Sequence, residues 1–194
     1  MSALGLKMIF NKVYLSKLVF TFCLMSASYS LFADETTPIK KVTPPCQQAE
    51  HYRHFDFWLG QFDVYGKPDK SGPLYGTNTI SSSQQGCLLT EEWIGAKGST
   101  GTSVNYYDGV KGLWVQHWVS ADGTVINIEG GLTDGSMLLK GHIYYANSKT
   151  NPIRKFKGTW TPLKEGVVKQ FFEESIDDGK TWTAWFTGYY FPRE

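Results

Sequence analysis

The sequence predicts an all-β domain, an up-and-down antiparallel barrel of about ten strands with a short N-terminal helix. Three observations carry this. Beyond residue 33 helical periodicity occurs only before Gly60; after it come short runs with strand character, separated by Gly, Asn, Asp and Pro clusters. The links include Asp108-Gly109, Asp122-Gly123, Asp134-Gly135 and Asp178-Gly179, which is hairpin chemistry because Gly accepts positive φ without steric cost. Successive hairpins form a meander, and a long meander must close on itself or leave its edges unpaired. A two-layer β-sandwich is the alternative arrangement of the same strands.

Residues 1–33 read as a secretory signal peptide. Lys7, Lys12 and Lys17 precede an uncharged run from Leu18 to Ala33, and small Ala33 stands before Asp34. Ser26, Ser28 and Ser30 interrupt the apolar stretch, which falls short of the ~20 continuous apolar residues of a membrane span, so no retained anchor is expected. Cleavage there would remove three lysines and no acid, leaving 19 − 3 = 16 basic against 18 acidic residues, a net charge of −2. That balance argues against nucleic acid as a partner. The export signal implies that the mature chain is periplasmic or secreted.

Residues 34–45, with Pro38, Pro44 and Pro45, read as an extended lead, and 46–194 as a single β-barrel domain. Cys46 and Cys87 are the pair left after cleavage, and in an exported chain they are expected to form a disulfide. Residues 47–59 place His51, His54, Phe55, Trp58 and Leu59 at helical spacing, predicting an amphipathic helix that serves as plug or lid and stops at Gly60. The expected strands are 60–66, 75–82, 87–95, 101–108, 112–119, 124–131, 136–145, 153–161, 166–175 and 182–191.

The binding-type chemistry lies on strand 112–119. Alternation puts Trp114, Gln116 and Trp118 on one face and Val115, His117 and Val119 on the other. Aromatic rings flanking an amide offer stacking area with a donor and an acceptor, suited to a small, partly polar ligand. The same reasoning groups Ser103, Asn105 and Tyr107 on 101–108, and Gln170, Phe172 and Glu174 on 166–175, all expected in the lumen. Glu92 or Glu91 and Trp160 are further candidates. The competing reading is a self-satisfied polar core packed between tryptophans.

The run Phe57-Trp58-Leu59-Gly60-Gln61-Phe62 resembles the opening of calycin-type barrels, the lipocalin, fatty-acid-binding and nitrobindin group, whose first strand begins Leu-x-Gly-x-Trp or a variant. The pattern is imperfect: Phe62 stands at the position of that Trp, and Arg193 is a candidate for the basic residue that covers it from the last strand in many calycins. Phe55–Gly60, Gly86-Cys87, Glu91-Glu92-Trp93 and Trp114-x-Gln116-x-Trp118 also resemble an exported bacterial protein family of unknown function. The resemblance implies the barrel and carries no activity with it. Nitrobindin-like haem binding requires an axial histidine late in the chain, whereas the last one here is His142, so no cofactor is expected.

Ser175-Ile176-Asp177-Asp178-Gly179-Lys180-Thr181-Trp182 matches the Asp-box pattern Ser-x-Asp-x-Gly-x-Thr-Trp and, as a single copy, reads as a structural hairpin between the last two strands. His51 and His54 read as lining the plug, with no metal expected. No nucleophile elbow, zinc-protease motif or phosphate loop is present. Catalysis would rest on the carboxylates Glu92 and Glu174, as general acid or base for an isomerase or hydrolase. Aromatic Tyr189-Tyr190-Phe191 could pack on a second copy, leaving monomer and homodimer both open. The expected role is therefore small-molecule binding in an aromatic lumen, with a catalytic and an interaction role as alternatives.

Overall fold

A computed structural model describes residues 43–193, so the expected signal peptide and most of the Pro-rich lead lie outside the described residues. Ten strands follow one another: β1 Gly60–Tyr65, β2 Leu74–Ser83, β3 Leu88–Gly95, β4 Thr100–Asp108 and β5 Leu113–Ser120. The second half comprises β6 Val125–Thr133, β7 Ser136–Tyr144, β8 Ile153–Pro162, β9 Val168–Ser175 and β10 Thr183–Pro192. Each strand pairs antiparallel with its sequence neighbours, and β1 pairs with β10 to close the barrel. Closure replaces the sandwich alternative, because no strand of the ring is left with a free edge.

Hairpin chemistry sets the register. Thr133 pairs with Ser136 across Asp134-Gly135, whose φ values of 49° and 75° give the two left-handed residues of a type I′ turn. The Asp-box hairpin is held from within: Asp177 Oδ1 accepts the Thr181 N–H at 2.9 Å and Asp177 Oδ2 the Thr181 hydroxyl at 2.6 Å. Ser175 Oγ accepts the Gly179 N–H at 2.9 Å, and the Trp182 indole donates to Gly179 O at 3.0 Å. The Ser175 hydroxyl, which donates to Asp177 Oδ1 at 2.6 Å, and then the two Thr181 bonds hold the Asp177 carboxyl down at about 2. Arg193 ties the last strand to the first, donating its backbone N–H to Gln61 O at 2.8 Å and pairing with Asp63.

The segment before Gly60 departs from one amphipathic helix. A single α-turn, Pro45–Gln48, gives way at Ala49 to extended backbone (φ −93°, ψ 126°), followed by 3₁₀ turns Glu50–Arg53 and Asp56–Trp58. The burial it achieves explains the breaks: Phe55 and Trp58 are both fully buried, and short turns let each ring enter the barrel where a continuous helix would fix their separation. Phe55 stacks on Trp58 and meets Trp114 and Trp160 edge-on. Trp114 donates its indole N–H to His51 O at 3.0 Å. The Cys46–Cys87 disulfide fixes the start of this plug to the turn before β3.

Candidate functional site

The lumen divides along the strands into a packed half and an open half. Toward the plug, Phe55, Trp58, Trp114, Trp160, Met137 and Leu139 fill the interior. Two residues along β5 from Trp114 comes Gln116, and two further Trp118, where the interior opens into a cavity of about 230 Å³. Trp93, Trp118, Phe172, Trp185, Phe186 and Tyr190 wall it, with Glu91, Gln116 and Gln170 the larger polar side chains on its lining.

Those polar groups belong to a buried layer with one direction. Gln116 donates Nε2–H to Asn105 Oδ1 at 2.8 Å, Asn105 donates Nδ2–H to Ser103 Oγ at 2.8 Å, and Ser103 donates its hydroxyl to Glu91 Oε2 at 2.7 Å. Asn78 completes it, donating Nδ2–H to Glu91 Oε1 at 2.7 Å. The chain of donors ends on a carboxylate that is 3% exposed. Burial pushes the Glu91 carboxyl up to about 7, against the lowering effect of the Ser103 and Asn78 hydrogen bonds. Across the lumen the Tyr190 hydroxyl donates to Gln170 Oε1. Burial, and then the Glu91 charge, push the Tyr190 phenol well above its ordinary value, so it stays a neutral donor.

The aromatic walls depend on glycines of neighbouring strands. A Cβ on Gly101 would collide with the Trp118 ring, and one on Gly158 with Phe172. Such bare backbone lets a large ring lie flat along the sheet, narrowing the lumen without closing it.

At the rim, Glu174 pairs with Arg154 at 2.6 Å and accepts the Tyr145 hydroxyl at 2.6 Å. Trp185, 42% exposed, donates its indole N–H to the Tyr145 hydroxyl at 2.8 Å. A register shift between Ala184 and Phe186 brings Trp185 to this position.

Four of the expected lumen residues, Gln116, Trp118, Gln170 and Phe172, line the cavity. Ser103 and Asn105 lie buried behind it in the hydrogen-bonded layer. Trp114 belongs to the packed half, and Tyr107 lies against the plug, its ring centroid 4.4 Å from that of His51 and 5.0 Å from that of Tyr52. Glu174 shares the rim with Arg154 instead of standing free in the lumen. Glu92 is exposed on the outer face, because β3 alternates with Leu89, Glu91 and Trp93 inward, and the acid inside the barrel is Glu91. Tyr190 likewise points inward, which removes it from the Tyr189-Tyr190-Phe191 surface patch.

Trp93, Ser99, Ile126, Trp185 and Phe186 line the cavity, although the sequence reading placed none of them in the lumen. For Trp93 the signal existed in its two-residue spacing from Glu91. For Trp185 none did, since the bulge that aims it breaks alternation. Among the described residues no cluster of three or more His, Cys, Asp or Glu side chains could hold a metal, and no helix is long and apolar enough to cross a membrane. No protein-family profile matches the chain, and the search of curated proteins returned no significant match.

Proposed function

We propose that this protein is an exported small-molecule-binding protein that holds a partly polar ligand in the open half of its barrel. The observation that carries the reading is a lumen cavity of about 230 Å³ with aromatic walls and three convergent polar side chains, Glu91, Gln116 and Gln170. Resemblance to calycin-type barrels supports it. The signal-peptide pattern of residues 1–33 supports export, and the Cys46–Cys87 disulfide is compatible with an oxidising compartment, periplasmic or extracellular.

Trp93, Trp118 and Trp185 make the reading testable by intrinsic fluorescence. Across sugars, polyphenols, lipids, amines and haem, at least one class is expected to change the emission saturably. Trp118→Ala should abolish that response while leaving the far-ultraviolet circular dichroism unchanged. A folded protein with no responsive ligand in the whole set would make the lumen a packing feature. The catalytic alternative narrows to Glu91, the carboxylate lining the cavity, whose elevated pKa suits a general acid or base near neutral pH. Substrate turnover lost in Glu91→Gln would favour it.

A further inference from the structure

Glu91 is a buried carboxylate without a cation. The ion pairs among the described residues lie elsewhere, joining Arg53 to Asp56, Lys111 to Glu129, Arg154 to Glu174, Lys155 to Asp178, Lys157 to Glu173 and Arg193 to Asp63. A carboxylate taken out of water with hydrogen bonds but no counter-charge is costly, and a cation from outside would offset that cost.

The layer around it is also rich in acceptors. A carboxylate offers about four lone-pair sites, of which Asn78 and Ser103 take one on each Glu91 oxygen. Asn78 Oδ1 is buried beside it with no partner among the described residues. The complementary ligand group therefore brings both N–H donors and positive charge. Above Glu91 the cavity wall is aromatic, and ring faces attract a cation while their area accommodates an apolar tail.

Resting on the binding role proposed above, we infer that the ligand is a small primary amine: its ammonium group bonds to Glu91, and Trp93, Trp118, Trp185 and Phe186 enclose its apolar or aryl tail. Size is consistent with this. A cavity of about 150 Å³ holds benzene, so 230 Å³ accommodates a molecule of about ten non-hydrogen atoms. Arg154 at the rim does not oppose entry, because Glu174 neutralises it at 2.6 Å.

The test uses 2-phenylethylamine and its uncharged counterpart 2-phenylethanol, titrated into wild-type protein and Glu91→Gln by calorimetry and tryptophan fluorescence. At pH 8 the amine should bind wild type at least about tenfold more tightly than the alcohol, the scale of a charge-assisted hydrogen bond in a desolvated site. Glu91→Gln should remove that preference, bringing the affinity for the amine down to no more than that for the alcohol in the same variant. Should the variant fail to fold, a pH series on wild type decides.

The groups facing Glu91 are Asn78 from β2, Ser103 from β4 and Tyr190 from β10, and Tyr190 remains a neutral phenol throughout. Amine affinity should therefore fall by about tenfold or more from pH 8 to pH 5.5 as Glu91 takes a proton, while alcohol affinity stays flat. Equal affinities for the two probes, an amine affinity indifferent to Glu91→Gln or to pH, or a screen answered only by neutral ligands would each overturn the inference and leave the binding role standing. Absence of binding by every compound in the wider screen would overturn both.

Discussion

Glu91 concentrates the chemistry of the barrel because two opposing effects meet on one carboxyl. Asn78 and Ser103 donate to it, but burial outweighs them and its pKa rises from 4.5 to about 7. The folded state therefore binds this proton more tightly than the unfolded chain does. The stabilisation is fully present below about pH 4.5 and is lost as pH rises through about 7. Denaturant unfolding should accordingly show wild type losing about 3 kcal/mol relative to Glu91→Gln between acidic and mildly alkaline pH. A wild-type to variant difference that stays constant over this interval would remove Glu91 from the account. Sequence alternation could not choose between Glu91 and Glu92, since Leu89 and Trp93 flank one as Leu88, Thr90 and Ile94 accompany the other. Both faces of β3 carry large apolar residues, and only the register against β2 and β4 puts Glu91 opposite Ile80 and Ser103.

At the scale of elements, the plug and the Asp-box hairpin show local pattern and tertiary burial carrying different weight. The hairpin is a local structure whose bonds lie within Ser175–Trp182, so its motif alone described it. The plug is the reverse case: its spacing of aromatics looked helical, yet Phe55 and Trp58 reach their buried places from short turns broken at Ala49. Its anchor is covalent. The disulfide joins residues 41 apart in sequence, and loops of that length are stabilised by about 2–4 kcal/mol. Reduction, or Cys46→Ser, should lower unfolding free energy by about that amount. It should also speed amide exchange at Tyr52, Trp58 and Leu59, whose N–H groups bond within the plug. Identical melting temperatures under oxidising and reducing conditions would show that the plug holds without its staple.

For the whole molecule, the weak line is the closing seam. β1 meets β10 over Phe62–Tyr65 against Tyr189–Pro192, whereas β7 meets β8 from Met137 to Tyr144. Pro192 sits in the seam with no N–H to give. Arg193 reinforces it through Gln61 and Asp63. Amides of β1 and β10 that bond across the seam are therefore expected to exchange faster than those of β7 and β8 under native conditions. Uniform protection around the ring would mean that the barrel opens only by global unfolding.

The sequence by itself determined about ten strands with limits within two residues of those observed, the turns between them and the common face of Trp114, Gln116 and Trp118, because strand alternation and Asp-Gly turns are local properties. It made the pairing of Cys46 with Cys87 the expectation, and the approach of their Cα atoms to 5.1 Å in the fold met it. Only the tertiary structure decided that the barrel closes on β1 and β10, that Trp114 is packed while Trp118 borders a cavity, and that Trp185 reaches its mouth. Those outcomes depend on how far the plug fills the lumen, on the glycines that let rings lie flat and on the bulge in β10. Each is a contact between residues distant in sequence, which no periodicity of a single strand encodes.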